Sequence, residues 1–182
     1  MKKILILQIL FSLLLSNISS VYAAAPTPTP TAEELVHLGN VSGRHEKYKE
    51  AVGYYTKAIA AQPVYSDAYY NRGYVYVEMR KYKQAIADLN KAIDINPKYS
   101  AAYHVRGIAY FFRKKYDQAI ADYSKAIELE PKNIRYYTSR MSANFKLGNG
   151  DRAWKDVIKI QQLGGTVNPS IINILKNKKY RE

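Results

Sequence analysis

Residues 66–99 read SDAYYNRGYVYVEMRKYKQAIADLNKAIDINPKY, and residues 100–133 read SAAYHVRGIAYFFRKKYDQAIADYSKAIELEPKN. Laid one above the other, Gly73 falls on Gly107, Tyr82 on Tyr116, Ala85 on Ala119, Lys91 on Lys125 and Pro97 on Pro131. The same 34-residue step runs outward to Gly39, Tyr48, Ala51, Lys57 and Pro63 on one side, and to Ala153 and Lys159 on the other. Five residue series in phase mark a repeat array, in which each unit buries its apolar face against its neighbours.

Within one period the pattern is helical twice. Tyr69, Arg72, Gly73 and Tyr76 share one helical face, and so do Ala85, Ile86, Leu89, Ala92 and Ile93. Pro97 closes the second helix, because it lacks a backbone donor and disfavours helical geometry at Asn96. Gly73 and Ala85 are small enough for the two helices to approach closely. These residues resemble the tetratricopeptide repeat (TPR) family, whose skeleton is W-x2-L-G-x2-Y…A-x3-F…P. The chain offers Tyr69-x2-Arg72-Gly73-x2-Tyr76…Ala85-x3-Leu89…Pro97, and again Tyr103-x2-Arg106-Gly107-x2-Tyr110…Ala119-x3-Tyr123…Pro131. A looser unit precedes them (Leu35, Leu38, Gly39, Ser42, Ala51, Tyr55, Pro63). A degenerate one follows (Tyr137, Arg140, Met141, Asn144, Ala153, Val157), ending at Gly164-Gly165. The resemblance implies an all-α, right-handed superhelical solenoid of about four helix-turn-helix repeats, over 32–65, 66–99, 100–133 and 134–165. Residues 166–182 are expected to hold a capping helix, read over 168–180, and a basic tail. Pro169 suits its first turn, Ile171, Ile172, Ile174 and Leu175 give it an apolar face, and a solenoid's exposed last core face needs such a cover.

The chain has 182 residues, a net charge of +13, 18 tyrosines and no cysteine. Without cysteine there is no disulfide scaffold, thiolate catalysis, Cys-ligated zinc, iron–sulfur centre or lipoprotein anchor. At the N-terminus Lys2 and Lys3 precede an apolar run from Ile4 to Leu15, a polar stretch from Ser16 to Ser20, and Val21-Tyr22-Ala23. This is the three-part pattern of a secretory signal peptide, expected over 1–23 with cleavage after Ala23. The alternating Pro and Thr of 24–31 cannot form a helix and suit an extended spacer. An exported protein, periplasmic or secreted and without a lipid anchor, is the expectation.

Arg72, Arg106 and Arg140 stand where the resemblance implies an apolar residue, and Asp88, Asp122 and Asp156 follow each by 16 residues. The first repeat has neither charge, with Leu38 and Tyr54 in their places. Charge occurring with charge predicts an Arg–Asp pair between the two helices of each repeat. An apolar contact would replace it in the first.

No phosphate-cradling glycine loop, nucleophile elbow or H-E-x-x-H motif is present, and His37, His45 and His104 lie at no metal-ligand spacing. No enzyme activity, metal or cofactor is expected. In a TPR solenoid the first helices line the concave face, which implies a peptide- or protein-binding groove of Asn40, Tyr70, Asn71, Tyr74, Val77, His104, Val105, Ile108, Phe111 and Phe112. His37, Thr138, Ser142 and Phe145 extend that face. An apolar and aromatic surface of this kind is an interaction site. TPR domains that grip the acidic tails of heat-shock chaperones use a clamp of Lys and Asn. Asn40 and Asn71 match its asparagines, but Val36, Ala101 and Val105 occupy its basic positions, so the clamp is not expected. The turns within repeats predict a basic edge of Arg44, Lys47, Lys49, Arg80, Lys81, Lys83, Arg113, Lys114 and Lys115. Such an edge is a solvated rim or a dock for anionic envelope polymers or headgroups, and nucleic acid is not expected of an exported chain.

Overall fold

The computed structural model describes residues 29–177, and among these all regular structure is helical. The expected signal peptide, most of the spacer and residues 178–182 lie outside the described residues. Helices α1 (Ala32–Arg44) and α2 (Tyr48–Ala61) form the first pair, α3 (Ser66–Glu78) and α4 (Tyr82–Ile95) the second. Helices α5 (Ser100–Phe112) and α6 (Tyr116–Leu129) form the third, α7 (Ile134–Leu147) and α8 (Gly150–Gln162) the fourth, and α9 (Pro169–Lys176) follows.

Local chemistry sets where each helix starts and stops. Thr31 and Glu34 form a reciprocal capping box at the start of α1. Gln62, Asn96 and Glu130 each precede a proline, and all three leave helical geometry with φ of −139°, −129° and −136°. The first helices of the pairs end differently. Glu46, Arg80, Lys114 and Gly148 occupy equivalent places and take positive φ of 59°, 57°, 58° and 82°. In each, the next residue's N–H reaches five residues back, as in Lys81 N to Tyr76 O at 2.8 Å. This Schellman closure satisfies the orphan carbonyls and turns the chain into the second helix.

Gly107 allows α5 to lie on α6, since a Cβ there would sit 2.6 Å from the Tyr123 ring. Gly73 faces Leu89 in the same way, at 2.8 Å. In the fourth pair the volumes are exchanged: Met141 takes the glycine's place and Val157 the aromatic's, and both are buried in one cluster. Ala51, Ala85, Ala119 and Ala153 are fully buried. The hydrophobic clusters each span neighbouring pairs, for instance Val77, Leu89 and Ile93 with Ala102 and Val105. The core therefore runs continuously along the array, and the described residues from Thr31 onward form one compact unit.

The end of the array departs from expectation in two respects. Helix α9 stops at Lys176, where Asn177 turns extended, short of the expected residue 180. Leu175 is fully buried, but Ile174 is 37% exposed and stands outside the covering face. An eight-residue helix makes only about two turns, so it has too few positions to bury four apolar side chains on one side.

Candidate functional site: a concave groove and an arginine ladder

Three arginines stitch the array together. Arg72 Nε and one terminal nitrogen donate to both Asp88 carboxylate oxygens at 2.7 and 2.8 Å. Arg106 holds Asp122 at 2.9 and 2.7 Å, and Arg140 holds Asp156 at 3.1 and 2.7 Å. The third nitrogen of each reaches back into the preceding repeat, to Thr56 Oγ1, Asn90 Oδ1 and Ser124 Oγ at 2.9, 2.7 and 3.0 Å. Each guanidinium also lies over a tyrosine of its own helix, Tyr69, Tyr103 or Tyr137, at 5.4–5.9 Å from the ring centre. Burial pushes the Asp122 and Asp156 carboxyls up, and the facing guanidiniums offset part of that effect. The backward bonds were not foreseen, although Thr56, Asn90 and Ser124 form a polar series with the repeat's own step. In the first repeat Leu38, at the arginine's place, is 39% exposed, and Tyr54, at the aspartate's place, packs against the first hydrophobic cluster.

The first helices open onto a concavity of about 670 Å³. Tyr70, Tyr74, Val77 and Glu78 come to it from α3, His104, Val105, Ile108 and Phe112 from α5, and Arg135 and Tyr136 from α7. Arg80 and Tyr82 also line it. A second hollow of about 460 Å³, reaching Asn40, Arg44 and Asn71, shares Tyr74 and Glu78 with the first. The described part of the groove thus runs across α1, α3, α5 and α7.

The expected groove residues do not all serve as binding surface. Val77 and Val105 are buried at 8% and 4% exposure, so they form the floor between adjacent helices. Phe111 packs edge-on against Tyr116 at 5.3 Å and lies outside both hollows. Thr138 and Ser142 spend their hydroxyls on carbonyls of their own helix, those of Ile134 and Thr138. Asn40 Oδ1 accepts from the buried Tyr55 hydroxyl at 2.8 Å, and burial pushes that phenol up to about 12. Glu78, Tyr82, Arg135 and Tyr136 were missed. They lie at helix ends, where periodicity gives no direction for a side chain.

His104 is wedged between Tyr123 and Tyr136, at ring distances of 5.6 and 4.8 Å, and its Nε2 meets Ser139 Oγ at 2.9 Å. Burial, and then the Arg135 charge, lower its pKa to about 4. So weak a base cannot usefully deprotonate a serine at neutral pH, and the pair is a packing feature of the groove wall. Beneath it Tyr136 donates to Ser100 Oγ at 3.3 Å, and Ser100 to Glu130. Hydrogen bonds from Ser100 and Asn133 hold the Glu130 carboxyl below its usual range. Among the described residues no group of three or more His, Asp or Glu is placed to hold a metal ion.

Of the basic-edge residues, Arg80, Lys81, Lys83 and Arg113 meet around one surface hollow of about 280 Å³. Lys47 instead lies 3.9 Å from Glu50, in an exposed pair on α2's first turn. Arg44 faces the second hollow of the groove.

Consecutive helix pairs on a constant step, with a continuous core and a concave face of first helices, define a helical-repeat solenoid. The tetratricopeptide repeat profile matches residues 66–99 and 100–133. The first TPR of Spaghetti (RPAP3), solved with the HSP90 peptide SRMEEVD, is 33% identical; the match covers 64% of this chain and 93% of that one, with a TM-score of 0.63. The Arabidopsis OM64 TPR domain is 30% identical over 63% of this chain and 94% of its own, with a TM-score of 0.62. A crystal structure of MamA is 28% identical over 80% of this chain and 84% of its own, with a TM-score of 0.71. No curated protein matches the sequence significantly. The chain belongs to the tetratricopeptide repeat family.

Proposed function

We propose that this protein is an exported, non-enzymatic adaptor that holds a peptide segment or a partner helix in its concave groove. The carrying observation is the convergence of Tyr70, Tyr74, His104 and Ile108, from successive repeats, on one hollow. Tyr74 is 45% exposed there, an aromatic ring with a polar tip, which suits an anchor that remains soluble when unoccupied. The structural likeness to a TPR domain solved with a bound peptide supports the same reading. The ligand differs from that clamp's acidic tail, because Val36 and Val105 at the clamp's basic positions are buried and uncharged. Export rests on the Lys2-Lys3 start, the apolar run and the Val21-Tyr22-Ala23 site. N-terminal sequencing of the mature protein should find Ala24 first, and retention of Met1 rules export out.

The groove is tested by panning a random peptide library on the protein. Enriched peptides should bind at least tenfold more weakly to Tyr74→Ala, as expected for an aromatic hot spot. Peptides that bind this variant normally place recognition elsewhere.

A further inference from the structure

We propose that the two central turns of the array form a docking site for an anionic phospholipid bilayer surface. The turn between α3 and α4 carries Arg80, Lys81 and Lys83, and the turn between α5 and α6 carries Arg113, Lys114 and Lys115. Among the described residues none of the six forms an ion pair, whereas Lys47 and Lys125 do. Five are exposed and Arg113 is half-buried. Acidic neighbours are sparse, with Glu78 turned to the groove and Asp117 beyond Tyr116. The outer turns are less positive: the first sets Glu46 and Glu50 against Arg44, Lys47 and Lys49, and the last sets Asp151 against Lys146 and Arg152. The positive field is therefore concentrated mid-array, where two successive turns share the hollow of Arg80, Lys81, Lys83 and Arg113.

Phe112 decides between a lipid surface and a soluble polyanion. It is 57% exposed at the end of α5, beside Arg113, and stacks on Tyr82 at 5.4 Å with the rings 7° from parallel. A soluble polyanion without bases to stack, such as polyphosphate, has no use for an apolar ring among cations. A bilayer interface takes aromatic rings at the headgroup level while lysines and arginines meet the phosphates. The backbone supports these projections at some strain. Arg80 and Lys114 stand at φ of 57° and 58°, in the place that Gly148 takes in the fourth repeat. The hollow borders the groove: Arg80 and Tyr82 line both and Phe112 lines the groove, whereas Tyr74 lies outside the hollow, so Tyr74→Ala alters the groove without touching the docking residues.

The test is vesicle flotation of residues 31–182, which contain every hydrophobic cluster among the described residues. Vesicles of phosphatidylcholine with about one third phosphatidylglycerol are compared with phosphatidylcholine alone, and with soluble polyphosphate as competitor. Binding should require phosphatidylglycerol and fall about tenfold or more between low salt and 0.5 M NaCl. Lys81→Glu with Lys114→Glu should lower it at least tenfold, Phe112→Ala severalfold, and Tyr74→Ala not at all, with folding checked by helical content. Absence of phosphatidylglycerol-dependent flotation overturns the proposal. So does a site that holds polyphosphate as tightly as vesicles and is indifferent to Phe112→Ala, which identifies a soluble polyanion as the occupant.

Discussion

Arg106 grips Asp122 across the two helices of its repeat with hydrogen bonds of 2.9 and 2.7 Å, and the same guanidinium reaches Asn90 one repeat back at 2.7 Å. One side chain therefore joins three helices. The side chains are 18% and 8% exposed, so neither charge is well solvated when its partner is lost. Asp122→Ala should cost roughly 2–4 kcal/mol, near the figure for breaking a buried pair. Arg106→Leu with Asp122→Tyr, the residues the first repeat carries, should cost far less than the sum of the single changes. Asn90→Ala should cost about 0.5–1.5 kcal/mol through the bond between repeats. Urea unfolding in a double-mutant cycle measures the coupling, and additive single costs would show that the charges act independently.

Lys114 holds a left-handed backbone conformation that disfavours residues with a Cβ. Lys114→Gly relieves that strain but adds entropy to the unfolded chain, and should stabilise by about 0.5–1 kcal/mol. Gly148→Ala, at the equivalent place, should destabilise by about 1 kcal/mol. A shift of both melting temperatures in the same direction contradicts this account of the turns.

Two glycine-to-alanine changes should have opposite signs. At Gly107 the new methyl meets the Tyr123 ring at 2.6 Å, and overpacking should cost roughly 1–3 kcal/mol. At Gly53, exposed inside α2 with nothing within 4 Å, alanine should stabilise by up to about 1 kcal/mol through helix propensity. Thermal unfolding of the two variants reads this directly.

His104 makes stability depend on pH. Its folded pKa of about 4 lies below the ordinary value of 6.5, so between these values the unfolded chain binds the extra proton. The stability contributed by the neutral ring is fully present above pH 6.5 and lost progressively as pH falls toward 4. The loss should be on the order of 2–3 kcal/mol. Carboxylates titrate in the same range, so the diagnostic quantity is the difference from His104→Gln. That variant should start less stable at pH 7 and show a shallower acid slope; parallel slopes would place the titration elsewhere.

Ile108 and Tyr74 separate binding from packing. Ile108 contacts two hydrophobic clusters as well as the groove, so Ile108→Ala should weaken peptide capture and also destabilise, by about 2 kcal/mol. Tyr74→Ala should weaken capture with little change in melting temperature. Calorimetry alongside binding distinguishes the two, and an unchanged melting temperature for Ile108→Ala would put that side chain outside the core.

The repeat step, the helix pairs and the Arg–Asp partners were legible in the residues alone. They depend on short-range rules: small residues where helices touch, prolines that end helices, and charges that occur together. The extent of the groove depended on tertiary packing. Val77 and Val105 share helical faces with Tyr74 and Ile108 in sequence, yet the stacking of neighbouring helices buries the valines as a floor. Arg135 and Tyr82 enter the site only because stacked repeats bring the start of α7 and the start of α4 to the same hollow. Periodicity specifies which face of a helix turns inward. The angle at which one repeat meets the next specifies which side chains, from different repeats, share a surface.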